Sequence, residues 1–167
     1  TVPLTNDGPD IESLKLLMKT NKNIVGMLCV PRHSNPSGEV YSDSNLRDIF
    51  NIGMSYSKDF LFIFDNAYLV HDFMPTKYQK PIWEIATEES ASAQVVEVTS
   101  FSKVTFGGGG LSFMAASGKN LSLIKKMRES MVICPDKINQ KRHIQFFKNV
   151  DDIKKHMVKH AELVKPK

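Results

Sequence analysis

Cysteine is scarce: Cys29 and Cys134 are the only two in 167 residues. Two widely separated thiols make neither a disulfide framework nor a zinc site, so a reducing cytoplasm is the expected setting. No run approaches the roughly 18 apolar residues of a membrane span, and no membrane partner is expected. Charge of one sign is nowhere concentrated. Lys and Arg number 22 against 18 Asp and Glu, a net charge of +4, with no long basic block of the kind that marks a nucleic-acid arm. Anionic small molecules are the more economical partners for so modest an excess. The opening residues lack the charged-then-apolar pattern of a signal peptide. They also lack a starting Met, from which a piece of a longer protein is expected. Internal repeats and low-complexity linkers are absent.

What is present is a single domain's worth of chain with 41% hydrophobic residues, enough for a real core. Asp10 can cap a helix over 10–20 whose Ile11, Leu14, Leu17 and Met18 share a face. Residues 24–30 and 60–64 are short and almost wholly apolar, the pattern of strands buried on both faces. A helix is expected over 43–57 and a weaker one over 81–90, with further strands at 95–98 and 111–116. Three segments, 120–132, 137–147 and 150–164, each carry an apolar stripe with helical spacing. The alternation predicts an α/β fold with a mostly parallel sheet flanked by helices.

In such sheets ligands bind outside the carboxyl ends of the strands, so the residues that follow each strand matter most. The first strand runs into Asn35-Pro36-Ser37-Gly38, the second into Asp65-Asn66-Ala67-Tyr68, and the third into Ser100-Phe101-Ser102-Lys103, then Thr105 and four glycines. An amine can form a Schiff base. A carboxylate can keep a pyridine nitrogen protonated. An amide and a phenol can bond a ring hydroxyl, and hydroxyls with glycine-loop amides can bind phosphate. No one of these is specific; their order and placement are.

These stretches resemble the signatures of the pyridoxal-phosphate (PLP)-dependent class I aminotransferases: Asn-Pro-Thr-Gly with Ser37 for Thr, Asp-x-x-Tyr, and Ser-x-Ser-Lys. Further stretches, among them Cys29-Val30-Pro31-Arg32, Ser102-Lys103-Val104-Thr105-Phe106 and Pro135-Asp136-Lys137-Ile138-Asn139-Gln140, are similar to a bacterial aspartate aminotransferase-like subgroup. The resemblance covers nearly the whole chain. It implies the fold type I large-domain core, incomplete here, so that residues 1–167 form a PLP-binding segment without the N-terminal part and the C-terminal small domain. It implies Lys103 as catalytic residue and cofactor anchor through an internal aldimine. Asp65 would pair with the pyridinium nitrogen, Asn35 and Tyr68 would bond the ring hydroxyl, and Ser100 and Ser102 would contact the phosphate. The substrates would be aspartate or a similar amino acid and a 2-oxo acid. The complete protein would be a homodimer in which residues 135–140 reach the neighbour's site. One departure is that Leu111 stands where most of the family place a phosphate-binding arginine, which would leave that role to backbone amides, Thr105 or residues outside the chain.

Other readings compete. A PLP-dependent lyase could use the same lysine, and a non-catalytic fragment could keep the same motifs. The nucleotide-binding patterns fail: Gly118-Lys119 is followed by Asn120 and has Phe113 where a P-loop needs its first glycine, and Phe113 also breaks the dinucleotide fingerprint. His156 and His160 have the i,i+4 spacing of a metal pair but no third ligand nearby, and are read as a solvated helix face. No metal is expected. Taken singly, Asp65 could be a cap, Lys103 a solvated lysine and Asn35-Pro36-Ser37-Gly38 an ordinary turn.

Overall fold

A computed structural model of the chain describes residues 1–73 and 79–166. A short antiparallel ribbon of β1 (Leu4–Thr5) and β2 (Gly8–Pro9) opens the chain and leads into α1 (Ile11–Thr20). Then come β3 (Gly26–Cys29), α2 (Asp43–Tyr56), β4 (Leu61–Asp65), α3 (Ile82–Glu88), β5 (Val95–Ser100) and β6 (Ser112–Ala116). Three helices follow: α4 (Gly118–Glu129), α5 (Lys137–Phe146) and α6 (Val150–Val164). The sheet runs β3-β4-β5-β6, with the first three strands parallel and β6 antiparallel to β5. The expected α/β fold with a mostly parallel sheet is therefore present.

Most helix starts follow from local chemistry. Asp10, Ser42, Ser117, Asp136 and Asn149 each accept a backbone N–H from the first turn of the helix they precede. Such caps satisfy donors that the helix itself leaves orphaned. Only α3, entered through Pro81, lacks a side-chain cap.

The core lies between one face of the sheet and α1–α3. Phe62 and Phe64 of β4 point into it, and Phe50 of α2 meets both edge-on, with ring centroids 4.9 and 5.7 Å apart. Leu46, Ile49, Ile85 and Val95 close the cluster. Gly53 lets α2 lie this close: a Cβ there would stand 2.4 Å from the Phe62 ring and 2.7 Å from Phe60. Arg47 of α2 then ties α3 down through Glu88 and Glu89.

The expectation of strands buried on both faces needs correcting. In β3, Leu28 is 67% exposed, and Val25 just before it 82%. β3 is an edge strand, and no layer among the described residues covers its second face. The apolar run records a surface, not a finished interior. The ribbon of β1 and β2 was not expected, because two-residue strands carry no periodicity to read.

Candidate active site

Because β3, β4 and β5 are parallel, their carboxyl ends share one edge. Cys29 pairs with Phe64, and Asp65 with Val98, two residues before the end of β5. The loops that follow all leave from this edge, as the sequence predicts.

At the end of β4, Asp65 accepts the backbone N–H of Ala67 on one carboxylate oxygen, at 3.1 Å. The other oxygen makes no hydrogen bond among the described residues. Asn66 is buried and locked to β5: its N–H donates to the Val98 carbonyl at 2.8 Å, and its own carbonyl accepts from the Thr99 hydroxyl at 3.0 Å. Its side-chain amide donates to Glu97, which also takes the indole N–H of Trp83. These contacts fix the first residue after Asp65, and so the direction in which the carboxylate leaves the strand.

At the end of β5 the hydroxyls of Ser100 and Ser102 lie 2.8 Å apart, and the Ser102 N–H donates to Ser100 Oγ at 3.1 Å. The glycine run returns over them. A Cβ on Gly110 would fall 2.2 Å from Ser102 Oγ, so only glycine permits that approach. Lys103 is exposed, with its Nζ 5.9 Å from the centroid of the Tyr68 ring, within cation–π reach. It forms no ion pair among the described residues.

Asn35 occupies the loop after β3, where the Asn35–Pro36 peptide is cis and Gly38 takes φ +88°, a value that favours glycine. Its side chain is exposed and forms no hydrogen bond with the other five predicted residues. The loop is anchored nearby, since Arg32 binds both oxygens of Asp72 at 3.0 and 2.8 Å and His33 reaches the same carboxylate at 2.8 Å. The fold thus pairs Lys103 with Tyr68 and Ser100 with Ser102. It sets Asp65 beside them in register and leaves Asn35 on the same edge without a contact.

Histidines are what the sequence reading missed. His71 Nε2 donates to the Lys103 carbonyl at 3.2 Å, and His156 Nε2 to the Val104 carbonyl at 2.7 Å. The Thr105 hydroxyl meets His143 Nε2 at 3.0 Å. The solvated-face reading of His156 and His160 is therefore overturned. His156 holds the lysine loop, and His160 packs edge-on against His71, with ring centroids 5.8 Å apart. Thr105 also donates to the Phe101 carbonyl, so its hydroxyl is spent within the loop and is poorly placed to replace a phosphate-binding arginine. Leu111 accepts the Phe101 N–H at its carbonyl and turns its side chain to an apolar cavity. The one sequence signal for these histidines is that His71 follows Tyr68 by three residues; the carbonyls bonded by His71 and His156 leave no trace in sequence. No cluster of metal-ligating side chains occurs among the described residues.

A cavity of about 1010 Å³ lies between β5–β6 and helices α4–α6 and is lined by Phe101, Phe113, Met114, Ile124 and Phe147 among others. It includes none of the six predicted residues. A smaller one of about 430 Å³ touches Ser100 alone of them. The predicted residues lie at or after the carboxyl ends of β3, β4 and β5 rather than lining the larger cavity.

The whole chain, residues 1–167, matches the aspartate amino-transferase family. A Mycolicibacterium smegmatis protein bearing an aminotransferase name is 36% identical over 168 residues, 99% of this chain and 39% of that protein. The aspartate aminotransferase of Corynebacterium glutamicum is 31% identical over 169 residues, covering 100% of this chain and 38% of its own length. A crystal structure of an aspartate transaminase from C. glutamicum superposes with a TM-score of 0.87 at 30% identity, over 99% of this chain and 39% of that one. An α-aminoadipate aminotransferase from Thermus thermophilus, complexed with N-(5'-phosphopyridoxyl)-L-leucine, shares the fold at a TM-score of 0.82 and 21% identity, over 97% of this chain and 41% of that one. The chain thus spans about two fifths of the length of these relatives. The match along all 167 residues and the likeness to structures of fold type I lead to one conclusion: the chain belongs to the aspartate amino-transferase family.

Proposed function

We propose that this chain is the cofactor-holding part of a PLP-dependent aminotransferase that moves the amino group of aspartate or a similar amino acid to a 2-oxo acid. The observation that carries this reading is the placement of Lys103. Its amine lies 5.9 Å from the Tyr68 ring on the edge where β4 ends in Asp65 and β5 ends in the Ser100–Ser102 pair. The donor set suits pyridoxal phosphate. It offers a free amine, a carboxylate with one uncommitted oxygen, a phenol, and two adjoining hydroxyls under a glycine approach that a Cβ would block.

When bound, PLP would supply an electron sink for negative charge developing at the amino acid's Cα. The protein's side chains divide the rest. Lys103 would hold the group covalently through its amine and would carry the proton taken from Cα. Asp65 offers its uncommitted oxygen to the ring nitrogen and favours the protonated form there. Tyr68 and Asn35 bond the ring hydroxyl. Of the two serine hydroxyl protons, one is used between Ser100 and Ser102 and the other is left for a phosphate oxygen. The reading extends to a cytoplasmic homodimer in which residues 135–140 approach the partner's site; the exposure of residues 135–138 supports it.

The test is borohydride reduction of the full-length protein with bound PLP, followed by peptide mapping. The label is expected on Lys103 and absent from Lys103→Ala; a label on another lysine overturns the assignment. Conversion to the pyridoxamine form on addition of aspartate marks transfer, whereas release of ammonia would mark the lyase.

A further inference from the structure

Three consecutive residues of the lysine loop are each held by an imidazole, and the three imidazoles come from different elements. His71 lies in the loop after β4, His143 on α5 and His156 on α6. We propose that His71 is a positioning residue for Lys103, fixing the lysine's backbone relative to Tyr68, with His156 and His143 securing the next two positions. This rests on the reading of Lys103 as the cofactor-bearing lysine.

The need arises from the loop's own hydrogen bonding. After β5 the chain makes a tight turn in which the N–H groups of Val104 and Thr105 both donate to the Phe101 carbonyl, at 3.0 and 2.9 Å. The carbonyls of Lys103 and Val104 then face away from any strand or helix ladder. A half-buried carbonyl outside any ladder is satisfied by a side-chain donor, and a lysine whose backbone rocks cannot hold its amine in one place at the end of four methylenes. A carbonyl can only accept, so His71 and His156 must each present Nε2–H.

His71 does two things at once. While it bonds the Lys103 carbonyl, its ring stands edge-to-face with Tyr68 at 5.4 Å, and Tyr68 is the ring beneath Lys103 Nζ. One side chain therefore touches both members of the pair. Imidazole also suits the place electrostatically. His71 is buried, and burial lowers its pKa, with His160 and His33 adding repulsion. It can donate without setting a positive charge beside the lysine, where an Arg or Lys could not. Among the described residues its buried Nδ1 has no hydrogen-bond partner. Behind it, His143 lies between Phe101 and Phe106, at 5.7 and 5.5 Å, and so pins both ends of the loop.

The experiment uses the full-length protein with bound PLP and three variants. His71→Gln keeps an N–H near the position of Nε2, His71→Asn is too short to reach, and His71→Leu removes the donor at similar volume. The readouts are the pH midpoint of the absorbance change of bound PLP, and kcat and KM measured separately. In the Asn and Leu variants the midpoint is expected to move and kcat to fall about 10²-fold, the scale of a 1 Å misplacement, with KM little changed. Gln should restore both. If Leu does not fold, the Asn and Gln pair decides. An unmoved midpoint in Asn, or a Gln variant as impaired as Asn, overturns the role of His71 while a reduced label on Lys103 keeps the parent reading intact. A label on another lysine in the wild-type protein overturns both.

Discussion

At the scale of single residues, environment decides what each group can do. Cys29 is 1% exposed, and burial pushes its thiol pKa up to about 12. Since the thiolate is the nucleophile, alkylation of the folded full-length protein should leave Cys29 unlabelled until denaturant is added; labelling at the rate of a free thiol would show that β3 opens. His71 gives a pH signature. Its folded pKa is lowered by burial, so below the unfolded imidazole's pKa of about 6.5 the unfolded chain binds more protons than the folded one. The stability at stake is fully present above that value and declines as pH falls from there through the lowered folded pKa. The Tm of wild-type protein minus that of His71→Gln should therefore shrink between pH 7.5 and 5.5, and a constant difference would contradict the burial argument. At Asp65 the uncommitted oxygen is what matters. Asp65→Ala should lower kcat/KM about 10²–10³-fold, as when a group aimed at developing charge is removed. Near-normal turnover would reduce the carboxylate to the cap it also is for Ala67.

At the scale of elements, the contact between α2 and β4 holds the central strand and with it Asp65. Phe50 is fully buried against Phe62 and Phe64, and Phe50→Ala should cost about 3–5 kcal/mol in a denaturant titration. Gly53 is the sharper case. In a helix interior Gly→Ala ordinarily gains about 1 kcal/mol. Here the added Cβ would meet two phenyl rings closer than any contact allows, and overpacking of about 1–3 kcal/mol should win. A stabilised Gly53→Ala would mean that α2 can slide on the sheet without cost. The helices and strands themselves were largely legible: Asp10 caps α1, and of the apolar face expected from Leu46, Ile49, Phe50 and Met54 the first three are buried while Met54 is half-buried against the core. The error over β3 arose because an apolar run says that a face is meant to be covered, not whether the covering lies within the same stretch of chain.

At the scale of the whole molecule, α4 to α6 are thinly attached. α4 buries no residue, α5 only His143 and α6 only Met157, while Met131, Ile133, Ile138 and Ile144 stand exposed. Apolar surface of this extent marks an interaction site or an association liability. Residues 1–167 expressed alone should bind a hydrophobic dye and self-associate with concentration in sedimentation; a monodisperse monomer at high concentration would show that these helices are satisfied as they stand. The same segment should not sustain turnover. Of its four arginines, Arg47 is engaged with Glu88 and Glu89 and Arg32 with Asp72, and Arg128 lines the apolar cavity. Among the described residues Arg128 and Arg142 show no ion pair, and alignment of the Cα–H bond needs more than a loose surface anchor. A coupled assay with aspartate, 2-oxoglutarate and excess PLP checks this. Sustained oxaloacetate formation, lost in Lys103→Ala, would show that the segment is sufficient.

The sequence by itself determined the period of the longer helices and strands, the Asp10 cap, and the order of motifs at three strand ends. Each of these is local, set by neighbours a few residues away. It therefore reached the α/β class, the parallel strands and the six residues gathered at one edge. Tertiary structure decided that the Lys103 amine lies over Tyr68 and that Asn35 stands apart. It also decided that the lysine loop is held by histidines 32, 38 and 52 residues distant. For His71 and His156 the partners are backbone carbonyls, which every residue possesses. No pattern of side chains announces which carbonyl a ladder will leave unsatisfied, and only the folded chain brings a donor to it.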